Sequence, residues 1–119
     1  MKNYEINGVR ILECAPAGAK LHSERDALDL ISAALEHQAA MIMIPAERLD
    51  EDFFRLKTGV AGALLQKFVN YRIRAVVVGD ISKFTDDSDA LRDLVRESNR
   101  GSQFWFVADR DELERQLAR

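Results

Sequence analysis

Two short runs, Ala40–Ile44 (AMIMI) and Ala75–Val78 (AVVV), contain no polar side chain. A strand with one face in water alternates polar and apolar residues. A strand without alternation needs cover on both faces, which helices packed on a parallel sheet supply. Pro45 stops the first run and Gly79-Asp80 the second. The second begins with alternation at Arg72-Ile73-Arg74, which predicts a strand over 72–78 placed centrally. Gln103–Val107 (QFWFV) is the last such strand, with Trp105 flanked by Phe104 and Phe106 as a core residue.

Segments of helical period separate these runs. Ser23 to His37 reads as an amphipathic helix with Ser23 as N-cap and Asp26 completing a capping box. Its apolar stripe is Leu28, Ile31, Ala34 and Leu35. Asp50 or Asp52 caps a short helical turn carrying Phe53, Phe54 and Leu56. A main helix is expected from about Thr58 to Val69, burying Val60, Ala61, Leu64, Leu65 and Phe68. Gly59, Gly62 and Ala63 give it a small-residue side open to close backbone approach. Asn70 is the expected C-cap. Asp86-Asp87-Ser88-Asp89 is an acidic helix entrance, favourable at the positive end of the dipole, leading to Leu91, Leu94 and Val95 and ending near Ser98. Asp109 with Glu112 caps a final helix bearing Leu113 and Leu117.

At the other end of the chain, Tyr4 and Ile6 face Val9, Ile11 and Leu12 across Asn7-Gly8, a type I′ hairpin signal. The order is β-β-α-β-α-β-α-β-α. It predicts an α/β fold over residues 1–119 as a single domain. The sheet is mixed and mostly parallel, of about five strands, with an N-terminal hairpin and four helices.

Composition enters as exclusion. A formal net charge of -3, with basic and acidic residues interspersed, argues against nucleic acid. One cysteine, Cys14, precludes an internal disulfide and suits a cytoplasmic location. No apolar run reaches the ~20 residues of a membrane span. His22 and His37 close opposite ends of one helix, roughly 20 Å apart, so they share no metal. Gly59-Val60-Ala61-Gly62 lacks the spacing of a phosphate-binding fingerprint, and no cofactor is implied. No serine has a histidine placed by the sequence as its base, so no catalytic residue is assigned.

Polar residues that follow parallel strands gather at the carboxyl edge of the sheet, where ligands of open α/β folds bind. Here they are Glu47, Arg48, Asp80, Ser82, Lys83 and Asp109. Lys57, Thr58 and Gly59 join them at the entrance of the main helix. A phosphate on Thr58 would meet free backbone N–H groups and the dipole. An ordinary threonine cap beside a packing glycine accounts for the same residues, and solvated loop polarity for the edge. Asn70, Tyr71, Arg72, Glu97, Asn99 and Arg100 are expected at the opposite edge, as helix ends and an exposed ion pair.

FFRLKTGVAGALLQKFVNYRIRAVVVGD (residues 53–80), Ser82–Phe84 and the ESNRG of Glu97–Gly101 resemble the bacterial domain-of-unknown-function family 4180. The resemblance covers nearly everything from Ser23 to Leu117. More distantly, the element order and Thr58-Gly59 followed by Val60-Ala61-Gly62-Ala63-Leu64-Leu65 resemble the STAS domains, the anti-anti-sigma factor antagonists. Their regulatory Ser or Thr immediately precedes the glycine. Leu56 and Lys57 stand where those domains carry an Asp and a first Ser. The resemblance thus implies the fold first and a phosphoacceptor at Thr58 second.

Together these features lead to a regulatory, non-enzymatic interaction domain that presents the Thr58 helix entrance to a protein partner. The alternative is a ligand-binding protein or enzyme using Glu47, Arg48, Asp80 and Lys83. A homodimer joined through apolar surface near Phe53 and Phe54 is a third expectation.

Overall fold

In the computed structural model, which describes residues 1–119, five strands lie side by side in the order in which the chain makes them. β1 (Lys2–Ile6) and β2 (Val9–Glu13) pair antiparallel through the Asn7-Gly8 turn, with Asn7 at φ 50°. β3 (Met41–Pro45), β4 (Arg74–Val78) and β5 (Phe104–Val107) then add in parallel. The expected mostly parallel sheet with its opening hairpin is what forms.

The winding decides where the helices go. Each crossover steps the same way along the sheet, and right-handed connections place every crossover helix on one face. These are α1 (Glu24–Glu36), α3 (Val60–Asn70) and α5 (Asp89–Arg100). Two single-turn helices, α2 (Glu51–Phe54) and α4 (Ser82–Thr85), extend the loops after β3 and β4. α6 (Arg110–Leu117) follows β5 and lies on the opposite face. The crossover face buries 22 core residues and the α6 face 8. Alternate residues along β3 and β4 divide between the two faces: Ile42, Ile44, Ala75 and Val77 on one, Met41, Met43 and Val76 on the other. This is why neither run could carry a polar residue.

Several local expectations shift. α1 buries Ala27, Leu30, Ile31 and Ala34, while Leu28 is half-buried and Leu35 is 56% exposed. Its apolar set is wide, and the alanine pair seven residues apart lets the backbone approach the sheet. α3 starts at Val60, with Gly59 at φ 82° before it, and buries Ala61, Leu64 and Phe68. Gly62 is exposed with open space beside it, so the small-residue side packs against nothing there. Asn70 is inside α3, its side chain accepting from Gln66 at 2.8 Å; Arg72 takes the left-handed turn at φ 58°. α5 runs on to Arg100.

The two sheet edges end differently. β5 is an edge strand, and the side chain of Asn99 pairs with it like a short extra strand. Its Nδ2 donates to Phe106 O at 3.0 Å and its Oδ1 accepts Phe106 N–H at 2.8 Å. Satisfying edge groups in this way blunts edge-to-edge association. Trp105 is buried, its indole donating to Gly101 O at 2.7 Å, with the Arg74 guanidinium 4.7 Å from the ring centre.

The capping box of α1 is complete. Asp26 N–H donates to Ser23 Oγ at 3.3 Å, and Asp26 Oδ2 accepts the N–H groups of His22 and Ser23 at 3.0 and 3.2 Å. The His22 N–H, ahead of the Ser23 hydroxyl and N–H, holds the Asp26 carboxyl below its ordinary range. A depressed folded pKa contributes stability that is present above the unfolded pKa and lost as pH falls through the folded value. Asp26→Ala is therefore expected to cost about 1 kcal/mol at neutral pH. Urea titrations at about pH 3 should show that cost shrinking, since the unfolded carboxyl titrates near 4; an equal cost at both pH values would contradict the role of the carboxylate.

Candidate functional site

The carboxyl edge takes its shape from one close approach. Gly79, after β4, sits so near the turn after β3 that a Cβ placed on it would lie 2.8 Å from Ala46 Cβ. Only glycine fits, at φ 146°. The contact brings Glu47 and Asp80 to the rim of one open cleft of about 520 Å³, with Lys20, Asp50, Glu51, Asp52 and Lys83. Lys20 Nζ donates to Glu47 O at 2.5 Å. Asp80 is exposed; its Oδ1 accepts Ser82 N–H at 2.9 Å, and the Ser82 side chain and N–H hold its carboxyl below the ordinary range.

A second open cleft, about 630 Å³, adjoins the first across Glu51, Lys83 and Phe84, which line both. It carries Arg55, Lys57, Asp87 and Ser88 at the entrance of α5. In the partition Phe84 stacks on Phe54 at 4.2 Å between centroids and 7° between planes. The Lys83 ammonium lies 4.8 Å from the Phe84 ring centre. The first cleft is rich in carboxylates, and the second has three cations against two.

Thr58 and Gly59 line neither cleft. They form an exposed end beside the second one, where the turn Leu56–Thr58 leads into α3. Thr58 is the residue before the N-cap, and its hydroxyl turns back. Oγ1 lies 2.6 Å from Asp52 O and 2.8 Å from Arg55 O, to which it donates, and it accepts Val60 N–H at 3.3 Å. The side chain thus staples α2 to α3. A phosphate there would replace a donor by acceptors facing two carbonyls, so modification would open this staple as well as add charge.

Arg48 departs from the expected grouping. Its Nε donates to Ala19 O at 3.0 Å and its Nη1 to Ala15 O at 2.7 Å, fastening the loop before α1. Nearby Cys14 is buried, and burial pushes its thiol up to about 11. Asp109 caps α6, accepting Glu112 N–H at 2.9 Å. Ser82 lines a separate recess of about 250 Å³ together with Thr85 and Val95. Phe53 and Phe54 are buried, so they offer no dimer surface; the large exposed apolar residues are Met1, Leu35, Val69 and Tyr71.

Of the residues expected together, the structure joins Glu47, Asp80 and Lys83 in one cleft and Lys57 and Lys83 in the next. Sequence reasoning missed Lys20, Arg55, Asp87 and the Phe84 partition. Asp50 and Asp52 read as helix caps, and Asp50 does cap α2, accepting Asp52 N–H at 3.0 Å. At the opposite edge Glu97 and Arg100 form the expected ion pair at 3.1 Å. No group of three or more His, Cys, Asp or Glu is arranged to hold a metal ion, and no helix is long and apolar enough to cross a membrane.

The Thr58 staple predicts that Thr58→Val, which keeps shape and loses the hydroxyl, destabilises the fold by about 1 kcal/mol. Thr58→Ser should cost less than half of that in the same urea series. Equal stabilities for the Val variant and the wild type would remove the staple.

Residues 6–117 match the model of the family described as a domain of unknown function (DUF4180), and the chain belongs to that family. No curated protein and no solved structure matches it.

Proposed function

We propose that this member of the DUF4180 family is a cytoplasmic, STAS-like regulatory domain, with residues 1–119 forming one unit. It acts by binding another protein at the carboxyl edge of its sheet. The observation that carries the reading is the character of that edge. Two adjoining open clefts, rimmed by Glu47, Asp80, Lys83 and Lys57, lie beside an exposed helix entrance at Thr58-Gly59.

General acid–base chemistry near neutrality needs carboxyls raised or amines lowered by desolvation. No charged or polar residue of this chain is buried, and hydrogen bonds hold the Asp26 and Asp80 carboxyls below their ordinary range. Charges that stay hydrated until a partner arrives suit steering and register between proteins. The STAS-like reading is supported by the element order and by Thr58-Gly59 standing immediately before α3. In that reading Lys57, Thr58 and Gly59 are the first surface the partner meets. Charge added at Thr58 repels or recruits it.

A small ligand is the second reading, favoured by the first cleft alone. Its 520 Å³ falls within the usual 300–1,000 Å³ of ligand sites. Such sites are mostly apolar and enclose their ligand, whereas only Ala46, Leu49 and Phe84 of this lining are apolar. The balance favours side chains of a partner.

Affinity purification from the native host separates the readings. A complex formed by the wild type and by Glu97→Ala, at the opposite edge, should be lost or weakened at least about tenfold by Lys57→Glu with Lys83→Glu. Absence of any complex, or a complex indifferent to both lysines, would contradict the proposal.

A further inference from the structure

β1 is the open edge of the sheet. β2 turns the backbone groups of its even-numbered residues to β3: Arg10 O accepts Ala40 N–H at 2.9 Å, and Cys14 N–H donates to Met43 O at 2.9 Å. Its odd-numbered residues therefore face β1, where Val9, Ile11 and Glu13 stand opposite Ile6, Tyr4 and Lys2. In an antiparallel pair such residues exchange both bonds, and those between them turn N–H and C=O away from the partner. On β1 the outward residues are Asn3 and Glu5, both exposed.

No side chain closes this edge as Asn99 closes β5. The pairing from Lys2 to Ile6 runs without a bulge, and no proline interrupts it. β1 carries charges instead, at Lys2 and Glu5, which discourage most strands from pairing there. Charge also selects one partner. A parallel copy in register would set Lys2 against Lys2 and Glu5 against Glu5. An antiparallel copy turned about Tyr4 sets Asn3 against Glu5, Tyr4 against Tyr4 and Lys2 against Ile6, with no like charges opposed. It also satisfies every open group: each Asn3–Glu5 pair exchanges two bonds, and the two-fold axis makes a second such pair.

The side chains beside the axis agree. Asn3 Nδ2 lies 3.3 Å from His37 Nδ1, and its amide keeps a second hydrogen for the facing carboxylate. Arg110, 4.3 Å from the Tyr4 ring centre, is paired with Glu114 at 3.8 Å, and Glu13 accepts from the Tyr4 hydroxyl at 2.6 Å. Positive charge over the axis is thus balanced within each copy.

We propose that β1 pairs with β1 of a second copy, antiparallel about Tyr4, and joins two sheets into one. The same patch serves both copies, so the pairing closes at two. Strands of five residues bury less than the roughly 1,000 Å² of a stable interface, and the dimer is weak, forming in concentrated protein. β1 lines neither carboxyl-edge cleft, and the pairing is independent of their role.

Sedimentation equilibrium of the full chain, from about 10 μM to about 1 mM, should show monomer passing to dimer. Over that range amide exchange at Asn3 and Glu5 should slow at least about threefold, while amides of α3 and α5 keep their rates. Asn3→Asp, which opposes two carboxylates, should weaken dimerisation roughly three- to tenfold, and Asn3→Lys should strengthen it by a similar factor. Gln66→Glu and Gln66→Lys make the same charge changes on α3 and should leave the dimer within about twofold. A monomer at every concentration overturns the pairing. So does a dimer whose Asn3 and Glu5 amides exchange as in dilute protein, or one that both Asn3 variants shift in the same direction.

Discussion

The handedness of three successive crossovers governs this molecule. Strands laid down in chain order leave right-handed connections one face on which to put their helices. α1, α3 and α5 therefore share the larger core, and the opposite face falls to α6 alone. The apolar runs of β3 and β4 are the sequence's answer to that demand, with both sets of alternating side chains covered.

The same winding collects every turn after β3, β4 and β5 at one edge, and small contacts give that edge its shape. Gly79 lets the turn after β4 press against Ala46, so Glu47 and Asp80 share a rim. The stack of Phe84 on Phe54 fixes the partition between an acidic cleft and a more basic one. Arg48 and Thr58 serve the scaffold beneath: one guanidinium fastens the loop before α1, and one hydroxyl closes the step from α2 to α3. Glu47, Lys57, Asp80 and Lys83 are among the groups left facing water.

What was legible in the sequence follows from how local each signal is. The Asn7-Gly8 hairpin, the Ser23–Asp26 capping box, the Asp109 cap and the two-sided strands depend on neighbours within a few residues, and all form as expected. The start of α3 moved from Thr58 to Val60 because the left-handed Gly59 ends one turn and begins the next helix. Nothing local distinguishes that arrangement from a threonine cap. Arg48 follows a parallel strand as Glu47 does, yet consecutive residues of a turn point apart. Lys20, Arg55 and Phe84 reach the edge from loops far apart in the chain, which no spacing rule could gather. Asn99 sat in a stretch read as a helix end, and its bond to β5 needs the edge strand in place.

Under the proposed function, the carboxyl edge is where this protein meets another. The five lysines report on it directly: Lys20, Lys57 and Lys83 lie along that edge, and Lys2 and Lys67 lie on β1 and α3. Amine labelling of the protein in native-host lysate, compared with the purified protein, should show Lys57 and Lys83 shielded and Lys2 and Lys67 as reactive as before. Unchanged reactivity at all five, or shielding confined to Lys2 and Lys67, would contradict the account.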